Sequence, residues 1–453
     1  MKFRKQDLAH DLFLPVLLFM ALGGMVWGVR GSSGFGAMQG CIFAGVTWGT
    51  AWWYIAYDPS ESQLRRYSSS WIILALTVGI GISGNRGWMQ WPSFFDGQLL
   101  TNYAAGKSVP IPRIYGFIWL FIAGVPWAGI GACLLAWCHP QKRATLKSWI
   151  LRLTCAFGGA IIAQFLFDHL PEFFLPLYET MKAQYADLTA NPNLRRLIND
   201  NRAAIVHLGF YLGCLFYEIG RRDWKNATLI LTVGFVSGLG WALWQNWRWA
   251  PKVWPQAHFN WWRCWESCGG ISIGLAYGIA YFLVNQKATE AQKTCDFTQS
   301  IGCHPNLDRL ALYLGLLFGL GLSIRNGLKG WANIYLGNEK YWEQLLTSIV
   351  SPLLLLSTIG LVILIWRKPI TSGAPVILFP HAHRFIWGVL IIQNIISQMV
   401  TGPRREWSEM VFSLYYILLF LISSVIIYHF QCIKIKKINS NSAVENRSNS
   451  ATT

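Results

Sequence analysis

Charged residues are scarce in this chain, and the familiar catalytic and nucleotide-binding signatures are missing. Only 13% of the 453 residues are charged, whereas 53% are apolar. No Walker motif, dinucleotide fingerprint, HExxH or Gly-x-Ser-x-Gly pattern occurs. The ten cysteines are scattered without zinc-ligand spacing. The sequence therefore predicts neither a metal site nor a cofactor, and it does not indicate a known soluble enzyme class.

Long apolar runs dominate the sequence instead. They recur in blocks of roughly 18 to 25 residues, the length that crosses a bilayer, although the third block is short. The composition and these blocks predict an all-α, polytopic membrane helix bundle with about twelve transmembrane helices. The blocks are 9–29, 36–57, 71–86, 113–138, 148–170, 203–220, 226–246, 266–285, 307–326, 344–366, 384–402 and 407–431.

The net charge of +17 comes mainly from residues between the blocks and at their ends. If twelve helices alternate, basic clusters such as Arg65 and Arg66, Arg221 and Arg222, and the group around Lys434 all fall on one side. The positive-inside rule makes that side the cytoplasm. We therefore expect a multi-pass protein of the cytoplasmic (inner) membrane with both termini cytoplasmic, the lipid bilayer as its surroundings, and no nucleic-acid partner.

Similar sequence patterns recur about half a chain apart. The segment 79–88 resembles 319–327, since in both a glycine-rich helix leads into neighbouring arginine and asparagine residues. Looser copies occur at 23–31 and 238–248. We therefore predict two parallel six-helix halves built of hairpins, as in many transporters. The halves are 1–222 and 223–433.

Three segments depart from the spanning pattern. Residues 87–112 are rich in aromatic side chains and predict a re-entrant or interfacial cap. Residues 171–202 alternate apolar and charged side chains, which predicts an amphipathic helix on the outer interface. The tail, 434–453, has few apolar residues beyond Ile438 and is predicted to be a disordered cytoplasmic segment.

Arginines recur at the predicted non-cytoplasmic helix ends. An arginine at the bilayer centre costs roughly 2.5 to 3.5 kcal/mol, and less toward the interface, so its depth decides its meaning. One interpretation is that these side chains extend to lipid phosphates. The other is that they face inward and bind a carboxylate or phosphate through forked hydrogen bonds. Neighbouring asparagines, Asn85 and Asn326, favour the second.

Other polar side chains within or beside the apolar blocks leave two interpretations open. Glu266 and Glu343 begin return helices, where they either cap the helix or act as a gate or proton site, as a gate balancing Arg86, Arg248 or Arg325. Gln164 and Gln393 follow a glycine at the same spacing and either join helices or contact a solute. Asp168 beside His169 either relays protons or lies at the interface.

Tryptophan is unusually abundant, with 25 residues. Interfacial belts explain most of them. Flat aromatic faces beside amides and arginines also suit sugars and ring-bearing anions. A carbohydrate-like solute therefore stays among the expected substrates.

These features predict a secondary transporter for a small anionic or carbohydrate-like solute, bound between pseudo-symmetric halves. The alternative is a membrane-embedded transferase acting on a lipid-linked sugar or acyl donor, with Asp168, His169 or His258 as base. A non-catalytic assembly partner or sensor is a third possibility, and the oligomeric state is not predicted. The predicted binding residues are Arg30, Asn85, Arg86, Trp88, Gln164, Asn246, Arg248, Arg325, Asn326 and Gln393, and the predicted gating or proton-coupling residues are Asp168, His169, Glu266 and Glu343.

Overall fold

A computed structural model of the chain describes residues 8–31, 35–57, 67–84, 91–138, 145–285, 305–367 and 379–450. Within these ranges the chain is almost entirely helical, with one small β-hairpin. The elements are α1 Leu14–Arg30, α2 Ala37–Ala56, α3 Trp71–Ser83, α4 Trp91–Phe95, β1 Gln98–Asn102, β2 Lys107–Pro110, α5 Ile114–Trp137, α6 Leu146–His169, α7 Pro171–Phe174, α8 Lys182–Ala186, α9 Pro192–Gly220, α10 Trp224–Trp244, α11 Ala250–Val253, α12 Trp261–Val284, α13 Pro305–Tyr335, α14 Glu339–Arg367, α15 Phe379–Met399 and α16 Trp407–Ser450.

Within the described ranges, nine helical segments are long and apolar enough to cross a bilayer. They comprise α1 with the π-helical turn before it, α5, α6, α9, α10 through α11, α12, α13, α14, and α16 as far as Lys436. The all-α membrane bundle that the apolar blocks predict is therefore confirmed. Each of the twelve predicted blocks overlaps one helix, the three others being α2, α15 and the shorter α3, which has 13 residues.

The interior position of α2 explains why its composition differs from that of a lipid-facing helix. Its tryptophans Trp48, Trp52 and Trp53 are buried, and α1, α3, α13 and α15 all pack against it. The indole of Trp48 donates a hydrogen bond to the carbonyl of Phe19 at 3.0 Å. A helix surrounded by protein does not need an apolar surface on every side.

Glycine contacts show two pairs of packed helices that run in opposite directions. Gly23 of α1 lies against Gly270 of α12, whereas Phe19 lies against Gly274, so those two helices are antiparallel. The same reversal relates Gly45 and Gly49 of α2 to Thr77 and Ile73 of α3. We call the end of the bundle where α1 begins the near end, and the end where α1 finishes at Arg30 the far end.

A very close helix contact joins α1 to α12. A Cβ added to Gly270 would overlap the carbonyl oxygen of Gly23, and one added to Gly23 would overlap the carbonyl oxygen of Gly270. Only glycine at both positions lets the two backbones touch. Another extensive contact joins α5 to α10. Both contacts connect a helix from 1–222 with a helix from 223–433, so the two predicted halves are closely interleaved.

Five tryptophans form a cluster inside the bundle. The ring centroids of Trp27 and Trp48 are 5.9 Å apart, those of Trp127 and Trp241 are 5.1 Å apart, and Trp241 lies 5.5 Å from Trp265. All five side chains are buried. This part of the tryptophan content therefore packs the core and does not belong to the interfacial belts that were expected to hold most of it.

The segment 171–202 differs from the single amphipathic helix predicted for it. It contains α7, a 3-10 turn at Glu179–Met181 and α8, and from Pro192 onward it belongs to α9. Pro176, which has no amide proton, and Leu177, with a φ of 56°, interrupt the helix. The exposed side chain of Phe173 lies on this irregular part of the far end.

The predicted cap and the predicted disordered tail both contain regular secondary structure. At the far end, α4 and the antiparallel strands β1 and β2 occupy most of the cap predicted at 87–112, with Leu99 opposite Val109. The tail predicted to be disordered from residue 434 continues α16 as helix through Ser450. No glycine or proline lies between Gln431 and Ser450 to end that helix.

Candidate functional site

A buried ion pair joins α1 to α12 at the far end of the bundle. The guanidinium Nη1 of Arg30 lies 3.3 Å and 3.1 Å from the two carboxylate oxygens of Glu266. Only 6% of Arg30 and 2% of Glu266 is exposed. Two opposite charges are therefore held together out of water at the end of two antiparallel helices.

Further groups from α1, α2 and α3 surround the guanidinium of Arg30. Its Nη2 donates to the carbonyl of Gly84, immediately after α3, at 3.0 Å. The indole of Trp27 lies 5.3 Å from the guanidinium carbon, within cation–π range. The thiol of Cys41, in α2, adjoins the same guanidinium.

Glycines make the space that the ion pair occupies. A Cβ on Gly31 would lie 2.8 Å from Cγ of Glu266, and a Cβ on Gly40 would lie 2.9 Å from Cγ of Arg30. Real side chains do not approach so closely, so any larger residue would displace one member of the pair. The glycines at these helix ends therefore shape the site as well as allowing the helices to pack.

Asn326 of α13 lies close to Gly40, the glycine that also borders the side chain of Arg30. Its Nδ2 donates to the carbonyl of Phe35 at 2.6 Å, and that oxygen would lie 3.1 Å from a Cβ on Gly40. Asn326 is buried, and its Oδ1 accepts no hydrogen bond from the residues that the structure describes. We call Arg30, Glu266 and Asn326, with the carbonyls of Phe35 and Gly84, the far-end cluster.

Arg325 points to a different neighbour from that of Asn326. Its Nη2 contacts the hydroxyl of Thr347 and lies 3.7 Å from the carboxylate of Glu343, both in α14. Lys329 shares that carboxylate at 3.6 Å. Consecutive helix residues point about 100° apart, so Asn326 faces α2 while Arg325 faces α14. Arg325 is buried and Glu343 is half exposed, and this pair lies apart from the far-end cluster.

Two other predicted binding residues, Arg248 and Asn246, are described by the structure but do not lie in the far-end cluster. Arg248 lies 3.4 Å from the carboxylate of Asp96 on the exposed cap, and Asn246 is exposed nearby. Asn85, Arg86 and Trp88 lie outside the described residues.

The two glutamines predicted as equivalent have unlike surroundings. Gln393 is fully buried, and its Nε2 donates to the carbonyl of Leu22 in α1 at 3.0 Å. It is eight residues deeper along α1 than Arg30, which is roughly 12 Å. Gln164 bonds to Asp168 at 2.5 Å on α6, which packs mainly against α9. Gln393 thus joins helices in the core, whereas Gln164 does not reach it.

Asp168 and His169 are exposed at the far end of α6. The carboxylate of Asp168 lies 3.2 Å from Arg202 of α9, and His169 Nδ1 lies 2.9 Å from the carbonyl of Phe165. His258, the third candidate base, is exposed before α12. None of these three side chains has a contact with the far-end cluster among the described residues.

Two further buried ion pairs were not anticipated. Arg263 and Glu409 are 2.6 Å apart at the far end, and Glu409 also accepts from the amide of Gly402. Arg152 and Glu218 are 3.1 Å apart at the near end. The signal for the latter pair lay in the sequence, because both charges interrupt consecutive apolar blocks at the same predicted side.

A lateral groove lies between α13 and α15. It has a volume of about 360 Å³ and is lined by Trp331, Tyr335, Asn394, Ile395, Gln398 and Met399. None of these side chains is acidic or an imidazole, and the hydroxyl of Tyr335 is the proton-transfer group in this lining.

The guanidinium of Arg30 is the group of the far-end cluster that is chemically suited to bind an anion. A guanidinium offers forked donors that match a carboxylate or phosphate. In the structure both oxygens of Glu266 accept from Nη1 of Arg30, while Nη2 donates to the carbonyl of Gly84. An anion that replaced Glu266 would keep the charge of Arg30 compensated and would release the carboxylate.

Comparisons with protein-family models, curated proteins and solved structures found no match for this chain.

Proposed function

We propose that this integral membrane protein is a secondary transporter for a small anionic or carbohydrate-like solute, with the solute bound at the far-end cluster. The observation that carries the proposal is the buried pair of Arg30 and Glu266. In this proposal all twelve apolar blocks cross the cytoplasmic membrane, including the short third block with α3, and both termini are cytoplasmic. The pair then joins the halves 1–222 and 223–433 from the non-cytoplasmic side.

Stability alone is a weak reason to keep such a pair. Apolar residues of similar volume in place of a buried ion pair are often neutral or stabilising, because removing two charges from water is costly. Ionisable side chains at membrane depth are accordingly rare and mark solute or ion pathways by default. The glycines at positions 31 and 40, which leave room for this pair, support the same interpretation.

A solute would act by competing with Glu266 for Arg30. A ligand shifts a conformational equilibrium only through a difference in affinity between the two states. A carboxylate or phosphate on Arg30 supplies that difference, because it breaks the contact between α1 and α12 at the far end. Glu266 is therefore our proposed gate, and Asn326 a proposed hydrogen-bonding neighbour. Asn85, Arg86 and Trp88, which follow Gly84 in sequence, stay predicted contributors.

A transferase acting on a lipid-linked donor is the second candidate, favoured by the groove between α13 and α15. A donor held in the bilayer would enter from the side, as that groove allows. The candidate bases Asp168, His169 and His258 do not line it, however. The carrier therefore accounts for more of the buried charges than the transferase does.

Substituting Arg30→Lys should weaken solute binding by about 10- to 100-fold, because lysine keeps the charge but loses the forked donors. The measurement starts with purified protein whose thermal unfolding is followed with lactate, glucuronate, inorganic phosphate or glucose. Solutes that stabilise the protein are then tested for uptake into protein-containing vesicles.

Arg263→Lys provides the matched control for this experiment. It makes the same substitution in another buried pair at the far end, and we expect binding close to that of the wild type. Equal binding and uptake by the Arg30→Lys and wild-type proteins would contradict the proposed site. Turnover of a lipid-linked donor, with no uptake of any solute, would favour the transferase.

A further inference from the structure

The groove between α13 and α15 faces away from the protein core. Both helices also pack against α2, so their shared outer side is turned outward. Ile391 and Ile395 on that side are 47% and 51% exposed, and Trp331 is 38% exposed. In a protein that spans a bilayer, lipid chains cover such a surface.

Polar groups close the groove at the far end, where the helices approach the membrane surface. The hydroxyl of Tyr335 donates to the carbonyl of Thr401 at 3.1 Å and crosses the top of the groove. Gln398 Oε1 accepts from Ser413 Oγ at 2.5 Å and from Arg404 Nη2 at 3.1 Å. The amide of Gln398 is thereby fixed, and it holds Arg404 beside the opening.

Arg404 supplies a positive charge that the described protein does not neutralise. Its bond to Gln398 is to a neutral amide, and no carboxylate among the described residues lies within ion-pair distance of it. The nearby Glu409 is engaged by Arg263 and by the amide of Gly402. One helical turn deeper than Gln398, the Oδ1 of Asn394 is buried without a hydrogen-bond partner in the described part of the chain.

We propose that this groove binds one anionic phospholipid, with its phosphate on Arg404 and one acyl chain along Trp331 and Ile395. Guanidinium groups bind phosphate through forked hydrogen bonds. Tryptophan and tyrosine favour the headgroup level of a bilayer. One turn deeper, the side-chain amide nitrogen of Asn394 can donate a hydrogen bond to an ester carbonyl in the glycerol region of such a lipid. The site is separate from the far-end cluster and does not depend on the transported solute.

The test compares lipid binding by three variants that have the same detergent and purification history. Native mass spectrometry and thermal unfolding are recorded with added phosphatidylglycerol, with neutral phosphatidylcholine, and with glycerol 3-phosphate. Arg404→Gln should lower phosphatidylglycerol occupancy by about fivefold, since one basic residue near the surface contributes about 1 kcal/mol. Arg405→Gln is the matched control, because it removes the same charge from the neighbouring exposed residue.

Ile395→Trp fills the groove without changing charge, and it should also expel the lipid. The proposal is supported if Arg404→Gln and Ile395→Trp lose phosphatidylglycerol while Arg405→Gln keeps it. Equal retention by all three variants overturns it, and so does an equal loss in both arginine variants, which would indicate only general surface charge. Stabilisation by glycerol 3-phosphate as strong as that by phosphatidylglycerol would assign Arg404 to a free anion and overturn the lipid site.

Discussion

Replacing Glu266 by alanine should lower the free energy of unfolding by about 3–5 kcal/mol, because Arg30 would be left buried without its counter-charge. The double substitution Arg30→Met with Glu266→Leu should restore most of that loss, since it removes both charges and fills the volume. Both results can be measured as the folded fraction after heating, in lipid nanodiscs. In the proposed carrier, the double variant folds but no longer binds the solute.

The near-end pair gives the control for this comparison. Arg152→Met with Glu218→Leu makes the same change in another fully buried pair, and it should leave solute binding unchanged. A Glu266→Ala protein as stable as the wild type would mean that Arg30 does not depend on this carboxylate. If the apolar double variant still bound the solute, Arg30 would not be part of the binding site.

Substituting Gly270→Ala should destabilise the bundle by about 3 kcal/mol, at the upper end of the range for overpacking. The added methyl group would meet the carbonyl oxygen of Gly23, which belongs to the backbone and has no rotamer through which to withdraw. The two helices would have to separate, and the alignment of Arg30 with Glu266 would change with them. The thermal unfolding midpoint of the purified protein measures the effect.

Gly360→Ala is the matched control for that substitution. A Cβ at Gly360, in α14, would have no neighbouring atom within 4 Å. Alanine is the better helix former by about 1 kcal/mol, so this variant should be as stable as the wild type or slightly more stable. If Gly270→Ala behaves in the same way, α1 and α12 do not touch through their backbones.

The glutamines illustrate what local sequence does and does not reveal about the site. Gln164 and Gln393 follow a glycine at the same spacing, and both lie in apolar helices. Yet α15 lies against α1 and α2, whereas α6 packs mainly against α9 and leaves its other sides exposed. Helices that are apolar on all sides carry little information about which side faces the protein. The surroundings of each glutamine therefore follow from helix position and not from its neighbours in sequence.

The sequence could not predict the ion-pair partner of Arg30, because that partner also depends on how helices are placed. The sequence indicated that glutamates at the starts of return helices could balance arginines at helix ends, and it associated Glu266 with Arg86, Arg248 or Arg325. In the structure Glu266 meets Arg30, which is 236 positions away. That contact depends on the close approach of α1 and α12 through Gly23 and Gly270, which is a property of two helices together.

By itself, the sequence determined that this is an all-α membrane bundle and where its helices run, because bilayer thickness imposes a length and a composition on each span. It also drew attention to Arg30, Asn326 and Glu266 as polar residues at helix ends. Only the tertiary structure decided which charges meet, which helices form the core and which helices have exposed sides. Pairing between residues far apart depends on helix rotation and on backbone contact at glycines, and bilayer thickness constrains neither of these.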